Sequence, residues 1–248
     1  MAHSVSALWV TTSSYLQRFD QPLLQRLRQY TTLAQWQYQQ SEDEPCALEV
    51  AVDLLHDYVQ GCDYPIHLLG HGTGGLVSLL YARQCPQRVR SLTLLGVGAW
   101  AMVDWIAHYY FHLQLLPCSR RQVLAQLIPD LFGAQNPTVT SYLTRLLEKD
   151  LAVSPSPHSL LQRGNLMPSS VPVPLLVCGS ANDPVVDIRA LEEWQPWLKG
   201  GDRMWQSADG PHFFHCFDPQ PVAEQILDFW RTQAGVPLPA VQLDPCSV

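Results

Sequence analysis

A glycine-rich turn is the first feature of this sequence whose spacing indicates chemistry. Residues 70–75 read Gly-His-Gly-Thr-Gly-Gly and join the apolar strand Ile66–Leu69 to the helix Leu76–Tyr81. The spacing G-x-G-x-x-G between a strand and a helix is typical of dinucleotide binding, which also expects an acidic residue about 20 residues further on for the ribose. No Asp or Glu occurs between Asp63 and Asp104, although three arginines in that interval could serve a phosphate-bearing cofactor: Arg83, Arg88 and Arg90. A tight turn without chemistry, which only lets the helix lie close to the strand, is the simplest alternative.

Two histidines at helical spacing are the second feature. His108 and His112 lie four residues apart, so a helix places both on one face. A zinc-protease motif of this spacing needs a glutamate directly after the first histidine, and Tyr109 stands there instead. We therefore predict no metal at this helix and no cofactor in the protein.

Short apolar runs alternate with amphipathic stretches along most of the chain, which predicts an α/β fold with a mostly parallel sheet and helices on both faces. The apolar runs predict about six strands: Ser6–Val10, Leu33–Tyr38, Ile66–Leu69, Leu92–Leu95, Val173–Val177 and Arg203–Trp205. Besides Leu76–Tyr81, helical spacing predicts helices at Leu23–Tyr30, from Ser41 to about Val59, and at Pro221–Trp230. Asp20 and Pro22 indicate the start of the first helix, and Ser41 with Glu44 forms a capping-box pattern at the second.

Between about Ala99 and Pro168 the sequence pattern predicts helices and no strands. We expect residues 1–98 and 171–248 to form a core domain, and residues 99–170 to form a helical lid over the carboxyl edge of the sheet. Aromatic side chains crowd the first helix of this segment, and most are expected to fill its core. Three of them are candidates to line an apolar substrate pocket: Trp100, Trp105 and Tyr109.

Composition excludes several classes of protein. The 248 residues are 47% hydrophobic and 15% charged, which is typical of a folded chain rather than a disordered one. The net charge of −7 and the absence of a basic stripe argue against nucleic-acid binding. We predict a cytoplasmic protein without a transmembrane segment, because the N-terminus lacks a signal pattern, no apolar run approaches the ~20 residues of a membrane span, and the seven cysteines form no CxxC pair. A protein partner is left open.

The region around the glycine-rich turn resembles the α/β-hydrolase fold superfamily, and in particular its uncharacterised cyanobacterial members. The likeness rests on Gly-His-x-x-Gly-Gly at 70–75, Tyr-Ala-Arg at 81–83, Pro-x-Arg-Val at 86–89 and the apolar strand that follows. It extends over nearly the whole chain, and the first strand resembles the family's third, which implies a sheet of six strands. In that family the turn reads G-x-S-x-G and carries a nucleophilic serine. Here the serine position is Gly72.

The resemblance implies that the other two members of a catalytic triad are present. Asp183, in the turn after a strand, matches the orienting acid, and His212, 29 residues later, matches the base, in the chain order of this fold. It also implies an oxyanion hole formed by the backbone N–H of Thr73 and that of Thr11 or Thr12, where the family often has His-Gly. Two alternatives stay open: a turn or cap role for Asp183 and an ordinary loop position for His212.

A glycine in this turn changes the expected function. Glycine tolerates backbone angles that strain other residues, so we expect the fold to persist while the acyl-enzyme intermediate is lost. We expect an ester or acyl hydrolase ancestry with catalysis absent or strongly impaired, through natural loss or deliberate inactivation, and a small apolar or acyl/ester ligand under the lid. The alternatives are a non-nucleophilic enzyme that uses His212 and Asp183 as a general base, a ligand- or protein-binding scaffold, and a Rossmann-type dinucleotide-binding protein.

Overall fold

The computed structural model describes residues 5–40, 47–100, 103–156 and 166–233. Its strands form one parallel sheet in the order β2-β1-β3-β4-β5-β6. Their bounds are Ala7–Thr11 (β1), Leu33–Gln37 (β2), Ile66–His71 (β3), Val89–Leu95 (β4), Leu175–Ser180 (β5) and Arg203–Ser207 (β6). The predicted six-stranded α/β fold is therefore confirmed.

Ten α-helices occur in the described part of the chain. They are Gln21–Leu27 (α1), Leu48–Gln60 (α2), Gly72–Gln84 (α3), Trp105–Leu115 (α4), Arg120–Gln126 (α5), Ile128–Phe132 (α6), Pro137–Val153 (α7), Ile188–Glu192 (α8), Phe214–Phe217 (α9) and Pro219–Gln233 (α10). The residue before α2 is Ala47, which makes no side-chain capping bond, and the predicted capping box at Ser41 and Glu44 lies outside the described residues. None of the helices formed by the described residues combines the length and apolar character needed to cross a bilayer.

Successive side chains along the strands point to opposite faces of the sheet, and this divides the core between the two faces. In β1, Leu8 and Val10 belong to the apolar cluster on one face, whereas Ala7 and Trp9 belong to the cluster on the other. This is the period-two pattern that a strand buried on both faces requires. Helices α2, α3 and α8 contribute to the first cluster, and α1, α9 and α10 contribute to the second.

The four helices α4 to α7 follow one another between β4 and β5. Their buried apolar side chains, Leu131 and Phe132 among them, belong to the same apolar cluster as the first face of the sheet. The ring of Phe132 stacks on Phe213 with centroids 4.9 Å apart. The segment therefore packs directly against the loop that follows β6.

Candidate active site

Asp183 and His212 form a buried pair at the carboxyl edge of the sheet. His212 Nδ1 lies 2.8 Å from Asp183 Oδ2, and both side chains are buried. The backbone N–H groups of Val185 and Val186 donate to Asp183 Oδ1 at 2.8 and 3.1 Å, so the turn after β5 fixes the carboxylate. With Nδ1–H donating to the carboxylate, the lone pair of the neutral ring is on Nε2, which can accept a proton.

Gly72 faces that nitrogen from the turn between β3 and α3. It is the first residue of α3, and its φ of +51° lies in the left-handed region that side chains rarely adopt. A Cβ at this position would lie 4.0 Å from His212 Nε2, and no other described atom would come within 4 Å apart from the flanking chain and the backbone of α3 itself. A hydroxyl one bond beyond that Cβ would come within the ~2.6–3.2 Å at which a general base accepts a proton.

A second glycine holds the start of α3 against β1. A Cβ on Gly74 would lie 2.3 Å from the Val10 carbonyl oxygen and 3.1 Å from Thr11 Cα, so no other residue permits this approach. The contact sets Thr11 and Thr12, each 6% exposed, beside the turn. Thr73 lies in the first turn of α3, whose N–H groups have no partner inside the helix.

These residues line a cavity of about 40 Å³, room for about three water-sized groups. Its wall includes Thr11, Thr12, His71, Gly72, Thr73, Trp105, Ile106 and His212. The structure thus brings together the predicted residues at 11, 12, 72, 73, 105 and 212, with Asp183 directly behind His212.

Two other residues that were predicted to contact the ligand, Tyr109 and Trp100, do not line the cavity. Tyr109 is fully buried, and its hydroxyl accepts a hydrogen bond from Arg120 Nε at 3.1 Å. It lies about 6 Å further along α4 than Trp105, next to the first residue of α5, and is absent from the cavity wall. Trp100 is 45% exposed and is absent from the cavity wall. Of the three aromatic candidates, only Trp105 reaches the cavity.

The cavity has a polar wall that the sequence analysis missed. Asp104 accepts hydrogen bonds from the Thr73 hydroxyl at 2.9 Å, the Ser156 hydroxyl at 3.0 Å and the Ala107 N–H at 2.8 Å. Asp150 accepts from the Ser13 hydroxyl and, at 3.4 Å, from the Tyr15 N–H. Burial raises the pKa of Asp150 to about 6, against the lowering effect of its hydrogen bonds.

A sequence signal for Asp150 did exist. The buried residues of α7 include Leu143, Leu146, Leu147 and Asp150, so this carboxylate continues the apolar stripe of an amphipathic helix. An acidic residue on such a face is normally either paired or functional, since burying a carboxylate is costly.

Two further histidines support the loop that carries His212. The His71 Nε2–H donates to the His212 carbonyl oxygen at 3.1 Å, and burial and the neighbouring His212 and His215 hold the pKa of His71 well below its usual range. The ring is therefore neutral and suited to this bond. His215 Nε2 lies 3.0 Å from Asp20 Oδ1, and Asp20 also accepts from Trp9 Nε1 at 2.9 Å. This second buried His–Asp pair anchors α9 to the start of α1.

One group of side chains in the described part of the chain could hold a metal ion. It consists of His108, His112 and Asp130, whose ligand atoms lie within 4.8 Å of one another. None of the three lines the cavity. The sequence analysis found the histidine pair but not the carboxylate, which comes from another helix.

The family is established by comparison with known proteins. Residues 4–225 match the alpha/beta hydrolase family. The chain is 42% identical over 238 residues to an uncharacterised protein of Nostoc sp. (strain PCC 7120), covering 96% of this chain and 95% of that protein. It is also 42% identical over 228 residues to an uncharacterised protein of Synechocystis sp. (strain PCC 6803), covering 92% and 91%. This chain therefore belongs to the alpha/beta hydrolase family, and the resemblance to uncharacterised cyanobacterial members is confirmed.

A solved structure shows the same fold. The crystal structure of a serine hydrolase involved in carbazole degradation, the CarC enzyme, matches with a TM-score of 0.65 at 14% identity, over 93% of this chain and 92% of that one. At this identity the likeness concerns the fold. It adds a serine hydrolase to the structural neighbours of the chain.

Proposed function

We propose that this protein derives from a serine ester or acyl hydrolase, that Gly72 occupies the nucleophile position, and that the protein binds a small ester- or acyl-type ligand without forming an acyl-enzyme. The observation that carries the proposal is the 4.0 Å between a Cβ at Gly72 and His212 Nε2. A serine there would complete a triad with the pair already formed by His212 and Asp183. The positive φ of Gly72 supports the assignment, because the family's nucleophile sits on a strained turn between a strand and a helix.

The hydroxyl of Thr73, the residue next to Gly72, does not replace the missing one in this scheme. The Thr73 hydroxyl donates to Asp104, which leaves its oxygen directed to the polar wall rather than to His212. The ligand's carbonyl oxygen would instead meet the backbone N–H of Thr73 and that of Thr11 or Thr12, which we assign to an oxyanion hole. Trp105 and Ile106 supply an apolar wall from α4, and we assign residues 99–170 to a lid over this site.

Slow general-base hydrolysis is a second candidate, favoured by the assembled His–Asp pair. In this reaction a water beside Gly72 attacks the ligand's carbonyl carbon while His212 Nε2 takes its proton. Asp183 stabilises the imidazolium, and the N–H groups of the oxyanion hole hold the tetrahedral oxyanion. Collapse then breaks the bond to the alcohol, which takes the proton from His212. Enzymes stripped of their triad retain ~10³–10⁴-fold over water, which sets the expected scale of such turnover.

Restoring the serine tests the proposal. We expect Gly72→Ser to gain covalent labelling by a fluorophosphonate probe and hydrolysis of short 4-nitrophenyl esters, because the new hydroxyl meets His212. Gly72→Ala is the matched control, since it imposes the same backbone strain without a hydroxyl. The double variant Gly72→Ser/His212→Ala should lose the gain. A folded Gly72→Ser protein that remains unlabelled would contradict the assignment of Gly72.

The unmodified protein separates binding from slow turnover. Hydrolysis of the same esters that follows a histidine-range pH profile and disappears in His212→Ala supports the general-base reaction. Ester binding with no hydrolysis above the buffer rate would contradict the general-base reaction and support binding without turnover.

A further inference from the structure

A cluster of three potential metal ligands joins two helices of the segment between β4 and β5. His108 and His112 lie four residues apart on α4, with ring centroids 4.4 Å apart, and Asp130 belongs to α6. One ligand atom from each lies within 4.8 Å of the other two. We call these three residues the α4–α6 cluster.

One separation inside the cluster suits two ligands of a metal ion better than a strong hydrogen bond. His108 Nε2 lies 3.4 Å from Asp130 Oδ2. A charge-assisted N–H···O bond is normally ~2.7–2.9 Å long, so this contact is a poor hydrogen bond. Two tetrahedral ligands at ~2.0–2.1 Å from a zinc ion lie about 3.3 Å apart, which is close to the observed separation.

The solvent exposure of the cluster and the chemical type of its ligand atoms also suit a metal ion. The side chains of His108 and Asp130 are 16% and 32% exposed, and His112 is half-buried, so an ion could enter and keep a water as its fourth ligand. Two imidazoles and one carboxylate suit zinc and similar divalent transition metals. They do not suit Ca²⁺ or Mg²⁺, which prefer oxygen ligands.

We propose that the α4–α6 cluster binds one divalent transition-metal ion of the Zn²⁺ type, with His108, His112 and Asp130 as ligands. The consequence is structural, because the ion would tie α4 to α6. The carbonyl oxygen of Asp130 accepts the backbone N–H of His212 at 2.9 Å, and that of Leu131 accepts the N–H of Phe213 at 3.1 Å. An ion bound here would therefore steady the backbone that supports the His212 loop. This inference is independent of the proposed function.

Metal titration of the full chain, without an affinity tag and after treatment with a chelator, tests the proposal. We expect one Zn²⁺ per chain by isothermal titration calorimetry and a rise in the midpoint of thermal unfolding on adding Zn²⁺. Loss of an outer-shell partner already weakens metal sites about 10–100-fold, so His112→Ala and Asp130→Asn should weaken binding beyond that range. Glu193→Gln, which alters an exposed carboxylate on the residue after α8, should bind as the unmodified chain does.

Cobalt distinguishes this cluster from a cysteine site. Co²⁺ bound by two histidines and an aspartate should show d–d absorption without a thiolate charge-transfer band, whereas a site at the half-buried Cys118 or Cys216 would show that band. No binding, binding unchanged in both variants, or a thiolate band would each overturn the proposal. Thermal unfolding of each variant without metal verifies that it is folded, and Asp130→Asn keeps the backbone carbonyl that holds His212.

Discussion

The carboxyl group of Asp150 makes the stability of the protein depend on pH. The residue is fully buried, and its pKa in the folded state is raised to about 6, above the ordinary value of 3.8 for an aspartate. A raised carboxyl pKa means that folding favours the protonated form. The contribution of Asp150 to the free energy of unfolding is therefore highest below pH 4, falls as pH rises from about 4 to about 6, and is constant above that.

Asp150→Asn tests this dependence at the level of one residue. The rise of this pKa from 3.8 to about 6 corresponds to about 3 kcal/mol. The difference in unfolding free energy between variant and parent should therefore change by that order between pH 4 and pH 7, in favour of the variant at high pH. Urea unfolding at several pH values measures it. Asp57→Asn, at an exposed site on α2, is the control and should show a nearly flat difference. A flat difference for Asp150→Asn as well would contradict the raised pKa.

The residues of the site differ in how far the sequence could predict them. The family resemblance selected positions 72, 183 and 212, and the structure brings them together because each lies just after a strand at the same edge of a parallel sheet. Two hydroxyl partners of Asp104 and Asp150 could not be predicted. They come from Thr73 and Ser13, distant in sequence, and hydrogen bonds between segments leave no periodic pattern.

Elements were predicted best where the pattern is local. Every predicted strand overlaps an observed one. The four inner strands β1, β3, β4 and β5 are mainly buried apolar runs, which have few alternatives. The start of α3 was predicted at Leu76 but lies at Gly72, so the glycine-rich turn is the first turn of the helix itself. Intrinsic propensity opposes helix at a run of glycines, and tertiary packing against β1 overrides it.

That packing gives a prediction about α3. Gly74→Ala should destabilise the protein strongly, by more than about 2 kcal/mol, because the new methyl group would lie 2.3 Å from the Val10 carbonyl oxygen and neither backbone can move without shifting α3 from β1. Gly179→Ala is a matched comparison. Its methyl group would lie 2.0 Å from Leu191 Cδ1 and 3.0 Å from Leu191 Cγ, which are side-chain atoms and not backbone, so a shift of that one side chain relieves the contact.

Denaturant unfolding of the two variants measures the contrast. We expect the loss for Gly74→Ala to exceed that for Gly179→Ala. Equal losses would indicate that α3 can move away from β1, and with it the N–H groups that we assign to the oxyanion hole.

At the scale of the whole molecule, the helical segment and the sheet share one apolar core. Leu131 and Phe132 of α6 belong to the same buried cluster as Leu8 and Val10 of β1. Phe132 also contacts Phe19, with ring centroids 4.6 Å apart, in addition to its stack on Phe213. Residues that share a core in this way are expected to unfold together. The sequence pattern, in contrast, suggested domain boundaries near residues 99 and 170.

Leu131→Ala tests whether the segment is thermodynamically separate. Leu131 is fully buried, so the substitution should cost about 2–5 kcal/mol and move the whole unfolding transition to lower denaturant. Far-UV circular dichroism and tryptophan fluorescence should remain coincident, since Trp9 and Trp194 are buried in the two clusters of the core and Trp105 lies in the segment. Leu115→Ala, at a residue of α4 that is 62% exposed, should change little. Two transitions, of which Leu131→Ala moves only one, would show that the helical segment folds independently, and the proposed ligand site could then open without disturbing the sheet.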